Sequence, residues 1–198
     1  MELIFATNNQ HKLKEISALL DNRFQLLGLK ELDIVEEIPE DHNTLEANAS
    51  QKAWYIYNKF GRNCFADDTG LEVTALEGAP GVYSARYSRI GYPTFPEMEP
   101  AAGNIRKLLL EMEGYASREA QFRTVIALVL KGAEYRFEGV IKGEITSHPT
   151  GIKGFGYDPV FRPEGFDETF AEMDLSLKNS ISHRARAVQR LVEFLKGM

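Results

Sequence analysis

The sequence predicts an α/β fold in which helices flank a mixed β-sheet, and three observations predict it. Short apolar runs such as residues 3–6 alternate with amphipathic patterns such as Leu13, Ile16, Leu19 and Leu20, which share one helical face. Farther along the alternation stops, because residues 121–130 and 135–145 are two long strand candidates around Lys131-Gly132-Ala133, a hairpin by its turn chemistry. A hairpin within an alternating chain makes the sheet mixed rather than wholly parallel. Finally, 198 residues with 43% hydrophobic content suit a single domain, residues 1–198, with a substantial core.

Charge and composition exclude several functions. A net charge of −6 argues against a general binder of nucleic acid or anionic membrane, which would carry a basic excess. One cysteine, Cys64, allows neither an intrachain disulfide nor a cysteine-based zinc site. The first residues lack a basic start and a long apolar stretch, and the longest apolar run, residues 125–130, is far too short to cross a membrane. The expectation is a cytoplasmic protein.

Taken in order, residues 3–6 read as a buried strand, residues 7–12 (Thr7, Asn8, Asn9, Gln10, His11, Lys12) as a polar loop, and the next stretch as a helix. A loop entering a helix aims free backbone N–H groups and the positive helix end at one point, which suits an anion. Lys12 adds a full charge; Asn9 equally suits a plain N-cap. Residues 24–29 form a second strand candidate, followed by the acidic segment 31–41. A helix over residues 44–60 then buries Ala49, Ala53, Ile56, Tyr57 and Phe60, with Trp54 and Tyr55 off that face and Lys52 a cation of interest.

Residues 64–71 follow: an apolar lead-in, then Asp67, Asp68, Thr69 and Gly70. Buried carboxylates need cations, metals or several donors. Two readings compete here, a turn that ends a strand and a Mg²⁺ site at a strand end. Gly78 to Gly81 make a turn, residues 88–100 a surface excursion, and Ile105, Leu108, Leu109 and Met112 another amphipathic helix. In residues 151–159, Gly154 and Gly156 flank Phe155 as a stacked flat ligand would require, although a Gly-rich bend explains the same residues. Asp158 suits a base edge or a neighbouring arginine. Ser182 is a natural N-cap for a final helix packed through Val188, Leu191, Val192 and Leu195. His183 and Arg184 in its first turn oppose the helix dipole, which calls for a negative partner or for solvent.

Together, Thr7-Asn8-Asn9 with Lys12, Ala66 to Leu71, Gly78 to Tyr87, Gly154 to Pro159 and Ser182-His183-Arg184 resemble the inosine triphosphate pyrophosphatase family from residue 3 to about residue 195. The resemblance implies two lobes around a central nucleotide cleft, an ITPase-like domain, and a homodimer. It further implies Mg²⁺-dependent hydrolysis of ITP, dITP and XTP to the monophosphate plus pyrophosphate, keeping non-standard purines out of DNA and RNA. Carried onto this chain, Thr7, Asn8, Asn9, Gln10, His11 and Lys12 match the phosphate loop, with Lys52 a further phosphate ligand, and Thr69 matches a substrate-binding position where the family more often has Ser. Glu40 and Asp68 match the metal-linked acids, and Asp68 also the proton acceptor. Phe155, Gly156, Tyr157, Asp158, Lys178, His183 and Arg184 match the nucleotide-binding set. The chain departs from the family where His42 replaces Gly, Leu45 replaces Phe and Ala47 replaces Glu; the last removes a capping box with Thr44.

The chemistry suits these residues, since lysines and a cation can neutralise phosphate charge while Asp68 orients or deprotonates water. A 6-oxo purine offers an acceptor to His183 and Arg184, whereas adenine would face them donor to donor. A pyrophosphatase for other modified nucleotides and a nucleotide sensor without turnover are the alternatives.

Overall fold

The computed structural model describes residues 1–20, 24–34 and 38–198, so Val35, Glu36 and Glu37 of the acidic segment lie outside the described residues. The described residues form seven strands: β1 (Glu2–Phe5), β2 (Gln25–Leu27), β3 (Cys64–Val73), β4 (Pro80–Gly81), β5 (Glu119–Leu130), β6 (Ala133–Ile145) and β7 (Phe161–Pro163). The helices are α1 (Gln10–Leu19), α2 (Leu45–Phe60), α3 (Pro100–Glu111), α4 (Leu175–Ile181) and α5 (His183–Lys196). Strand order is β2-β1-β3-β5-β6-β7, with β4 on β3. β1 runs parallel to β2 and β3, while β4 and β7 run antiparallel to β3 and β6. The sheet is mixed, as the sequence predicts. The hairpin turn is Lys131-Gly132, both at positive φ, the backbone that a two-residue hairpin favours.

The chain divides into two compact units. The first holds residues 1–68, 124–139 and 182–198. Its core joins Leu3, Phe5, Ile16, Phe65, Ile126, Leu128, Val188 and Leu191, with Phe5 and Phe65 stacked at 4.7 Å between ring centres. Each helix here is stopped or started by its own chemistry. Asn9 caps α1 by accepting from the His11 and Lys12 N–H groups, Thr44 caps α2, Ser182 caps α5, and Gly61 ends α2 in the left-handed region. Gly139 on β6 lets α5 lie close: a Cβ there would stand 2.0 Å from the His183 carbonyl oxygen.

The second unit holds residues 69–123 and 140–181. Its core gathers Leu71, Val73, Leu108, Phe122, Ile145, Val160, Phe161 and Phe170, with Phe122 and Phe161 edge to face at 4.7 Å. Pro100 starts α3 where its missing N–H is harmless, and Glu99 caps the same turn. The described residues contain no helix long and apolar enough to cross a membrane.

Two expectations are corrected. The Asp67-to-Gly70 stretch is not a turn, because β3 runs through it from Cys64 to Val73. Gly70 is small for a different reason: a Cβ there would lie 2.7 Å from the Gly81 carbonyl oxygen of β4. Residues 88–100 are not only a surface excursion, since Ser88 and Phe95 are buried; the buried Asn104 accepts from the Ser88 N–H at 2.7 Å and fixes the segment's start. Trp54, off the buried face of its helix, donates its indole N–H to Glu134 within its own unit.

Candidate active site

Strand geometry explains how two adjacent carboxylates take different surroundings. Successive residues of a strand face opposite sides. Phe65 packs with residues of α1 and α5, and Asp67, two residues on, meets the same helices. Cys64 donates its S–H to the Ala53 carbonyl of α2, and Asp68, four residues on, meets α2 as well.

On the α1/α5 side, Asp67 Oδ1 accepts from Lys12 Nζ at 2.9 Å and Oδ2 from Arg184 Nε at 3.3 Å. Arg184 also pairs with Glu15. Asp67 and Arg184 are 1% and 2% exposed, so this is a buried ion network, where partner removal is costly. Burial pushes the Asp67 carboxyl up, but Lys12, Arg184 and Lys52 outweigh it and hold it well below the usual carboxylate range. Burial lowers the Lys12 ammonium; Asp67 opposes this, while Lys52 and Arg184 add to it, and the net shift is downward. For Arg184, burial is outweighed by Asp67 and Glu15, so its charge is secure.

On the α2 side, Lys52 pairs with Glu40 and lies 3.8 Å from Asp68 Oδ1. Burial would lower Lys52, but Asp68, Glu40 and Asp67 raise it above its ordinary value. Asp68 is raised, first by burial and then by Glu40, against the pull of Lys52 and Lys12. Its Oδ2 accepts from Asn48 Nδ2 at 3.2 Å. The face of α2 turned inward carries Asn48 and Lys52 among Leu45, Ala49, Ala53 and Ile56. Polar residues on a buried helical face are the signal that could have found Asn48 from sequence.

In the second unit, Asp158 Oδ2 accepts from Lys178 Nζ and from the Phe155 N–H, each at 2.7 Å. Lys178 Nζ stands 5.1 Å from the Phe155 ring centre, at a distance suited to a cation on an aromatic face. Gly154, at φ +75, is the permissive position: a Cβ there would meet Asp158 Oδ2 at 2.1 Å. It clears room for the carboxylate that shapes the loop, rather than for a ligand beside Phe155. Tyr157 is buried and donates its hydroxyl to the Ser84 carbonyl at 3.0 Å, which makes its side chain a strut.

Of the residues expected from sequence, Lys12 and Arg184 thus meet on Asp67, Glu40 and Lys52 gather with Asp68, and Phe155, Asp158 and Lys178 form a third set. Asn9 serves as a helix cap, and Asn8, Gln10 and His11 are exposed. Thr7 accepts from the Asn9 N–H, Thr69 and Gly156 are half-buried, and the His183 side chain is buried at the start of α5. Glu15 and Asn48 escaped sequence reading; Glu15 is a buried acid on a helix whose apolar pattern drew the attention.

Glu40 and Asp68 suit a small oxygen-seeking cation, since both carboxylates already draw the positive charge of Lys52. Among the described residues no three His, Cys, Asp or Glu side chains converge to hold a metal by themselves.

The chain is 50% identical to a dITP/XTP pyrophosphatase of Flavobacterium johnsoniae, with 98% of each chain covered, and 51% identical to one from Porphyromonas gingivalis, covering 98% of this chain and 97% of the relative. The solved HAM1 protein of Coxiella burnetii superposes with a TM-score of 0.87 at 36% identity over the full length of both chains. The Staphylococcus aureus Ham1 protein gives 0.86 at 35%, over 100% of this chain and 99% of that one. With the Ham1 family model matching residues 3–194, nearly every element described above is covered, and the chain belongs to the Ham1 family.

Proposed function

We propose that the protein is a Mg²⁺-dependent nucleoside triphosphate pyrophosphatase that converts dITP, XTP and ITP to the monophosphate plus pyrophosphate. The observation that carries this reading is the division of labour across β3: Asp67 is bound to two cations while Asp68 is raised beside Lys52 and Glu40. The names of the bacterial relatives support dITP and XTP among these substrates.

In this reading Lys12, with the loop from Thr7 to His11, binds phosphate oxygens, and Asp67, itself gripped by Arg184, holds the lysine in place. Lys52 binds a second set of phosphate oxygens. Attack of water oxygen on the α-phosphorus breaks the bond to the bridging oxygen, and pyrophosphate leaves. Asp68 orients that water and takes its proton on a carboxylate oxygen; a pKa raised by burial strengthens it as a base. Mg²⁺ held by Glu40 and Asp68 would supply charge neutralisation at the phosphates. Phe155 offers a ring for stacking of the base, oriented through Asp158 and Lys178. His183 and Arg184 favour a purine with an oxygen at position 6. Leaving such a donor unpaired against adenine costs about 1–3 kcal/mol. A homodimer and a cytoplasmic location complete the proposal.

The test is a panel of ITP, dITP, XTP, GTP and ATP with Mg²⁺, in which pyrophosphate and phosphate are quantified separately. Pyrophosphate from the first three, with ATP poorly cleaved, is expected. Ready cleavage of ATP with no pyrophosphate from ITP, dITP or XTP overturns the reading.

A further inference from the structure

We propose that Asn48 is a positioning residue that sets the rotation of the Asp68 carboxylate and ties it to the loop carrying Glu40. This rests on the reading of Glu40 and Asp68 as the acids that take the divalent cation. Asn48 is 1% exposed and lies on the inward face of α2. Its Oδ1 accepts from the His42 N–H at 2.9 Å, and its Nδ2 donates to the His42 carbonyl and to Asp68 Oδ2, each at 3.2 Å. Both amide hydrogens and the oxygen are therefore engaged. Turning the amide over would set its NH₂ against the His42 N–H and its oxygen against Asp68, so only one orientation satisfies the site.

Two consequences follow from that orientation. With Oδ2 drawn to Asn48, Asp68 turns Oδ1 towards Lys52, the ammonium that Glu40 also holds. His42 is gripped only through its backbone, two residues after Glu40, so the clamp places Glu40 whatever side chain stands at 42. A neighbouring clamp provides a control. Gln51 holds the same loop, accepting from the Asp41 N–H at 3.0 Å and donating to Asp41 Oδ2 at 2.8 Å, with no hydrogen bond to Asp68.

The experiment compares wild type, Asn48→Ala and Gln51→Ala in two assays. One is Mn²⁺ binding to the full chain without nucleotide, followed by electron paramagnetic resonance. The other is kcat and KM for pyrophosphate release from ITP with Mg²⁺. Outer groups that orient metal-linked carboxylates change affinity or rate by about 10–100-fold. Asn48→Ala is expected to show a loss of that size in Mn²⁺ affinity and in kcat, with KM for ITP little changed, while Gln51→Ala stays near wild type. Asn48→Ser, too short to span both partners, replaces the alanine variant if circular dichroism shows that it does not fold. Unchanged Mn²⁺ binding in the folded Asn48 variant, an equal loss in Gln51→Ala, or no Mn²⁺ uptake by wild type overturns the proposal. If wild type releases no pyrophosphate from ITP, the pyrophosphatase reading fails by itself, and the Mn²⁺ comparison still decides the role of Asn48.

Discussion

The ionic sets of the two units differ in kind. In the first, Lys12, Lys52 and Arg184 are shared among Asp67, Asp68, Glu15 and Glu40, so each cation touches or faces more than one carboxylate. In the second, Lys178 pairs with Asp158, which also accepts from the Phe155 backbone, with the ring beside it. A shared network can lose or gain charge at one member and redistribute it, which suits chemistry in which charge builds and departs. A pair of the second kind fixes a shape. On the proposed function, the difference teaches a division in which the first set handles charge and the second orients a ring.

The strongest way to break this contrast is Asp68→Asn. Its expected loss in kcat for ITP is about 10²–10⁴-fold, measured by pyrophosphate release. The same variant, without Mg²⁺, is expected to be about 0.5–2 kcal/mol more stable in urea, because burial makes the ionised Asp68 unfavourable to the fold. A folded variant with full activity would end the assignment.

Asp67→Asn should do the opposite to stability. It leaves Lys12 and Arg184 short of a buried partner, at a cost of about 3–5 kcal/mol in urea denaturation. The pH dependence follows in sign. Because the folded state depresses the Asp67 pKa, its contribution is complete above the unfolded aspartate value near about 4 and is lost as the pH falls through the lower folded value. The stability gap between wild type and Asp67→Asn should therefore be full at neutral pH and narrow only below about pH 4; an equal gap at pH 7 and pH 2 would contradict it.

Phe155→Ala probes the second set. Stacking of a base on an aromatic ring is worth about 1–3 kcal/mol, so KM for ITP should rise with kcat nearly kept. A fall in kcat alone would move Phe155 out of the orienting role. The smallest effect is expected at Cys64, on the same side of β3 as Asp68 but without a charged partner. Its thiol is pushed up to about 12, chiefly by burial, so iodoacetamide at pH 8 should label the unfolded chain and leave the folded one nearly untouched.

What the sequence made legible was set by local rules. Helix starts at Asn9, Thr44 and Ser182, the two-residue hairpin and the alternation of strands and helices are each written within a few residues. Beside Arg184 the sequence left a negative partner and solvent both open, and Asp67 and Glu15 supply the negative partner. The through-going course of β3 was not, because Asp and Gly are ordinary turn residues and only the approach of Gly81 explains Gly70. Glu15 and Asn48 were hidden for a related reason. Their partners lie 169 and 20 residues away along the chain, and only Asn48 leaves a local trace, a polar residue on an otherwise largely apolar helical face.

Because the two acids are neighbours on one strand, their separate roles depend on parity. Removing a single residue from β3 before Asp67 would turn Asp67 towards α2 and Asp68 towards α1 and α5, while Phe65 left its place against Phe5. Substitutions along this strand alter one contact at a time; an insertion or deletion exchanges both acids at once and breaks the core with them. Length variation among functional relatives should therefore fall in the connections and spare this strand.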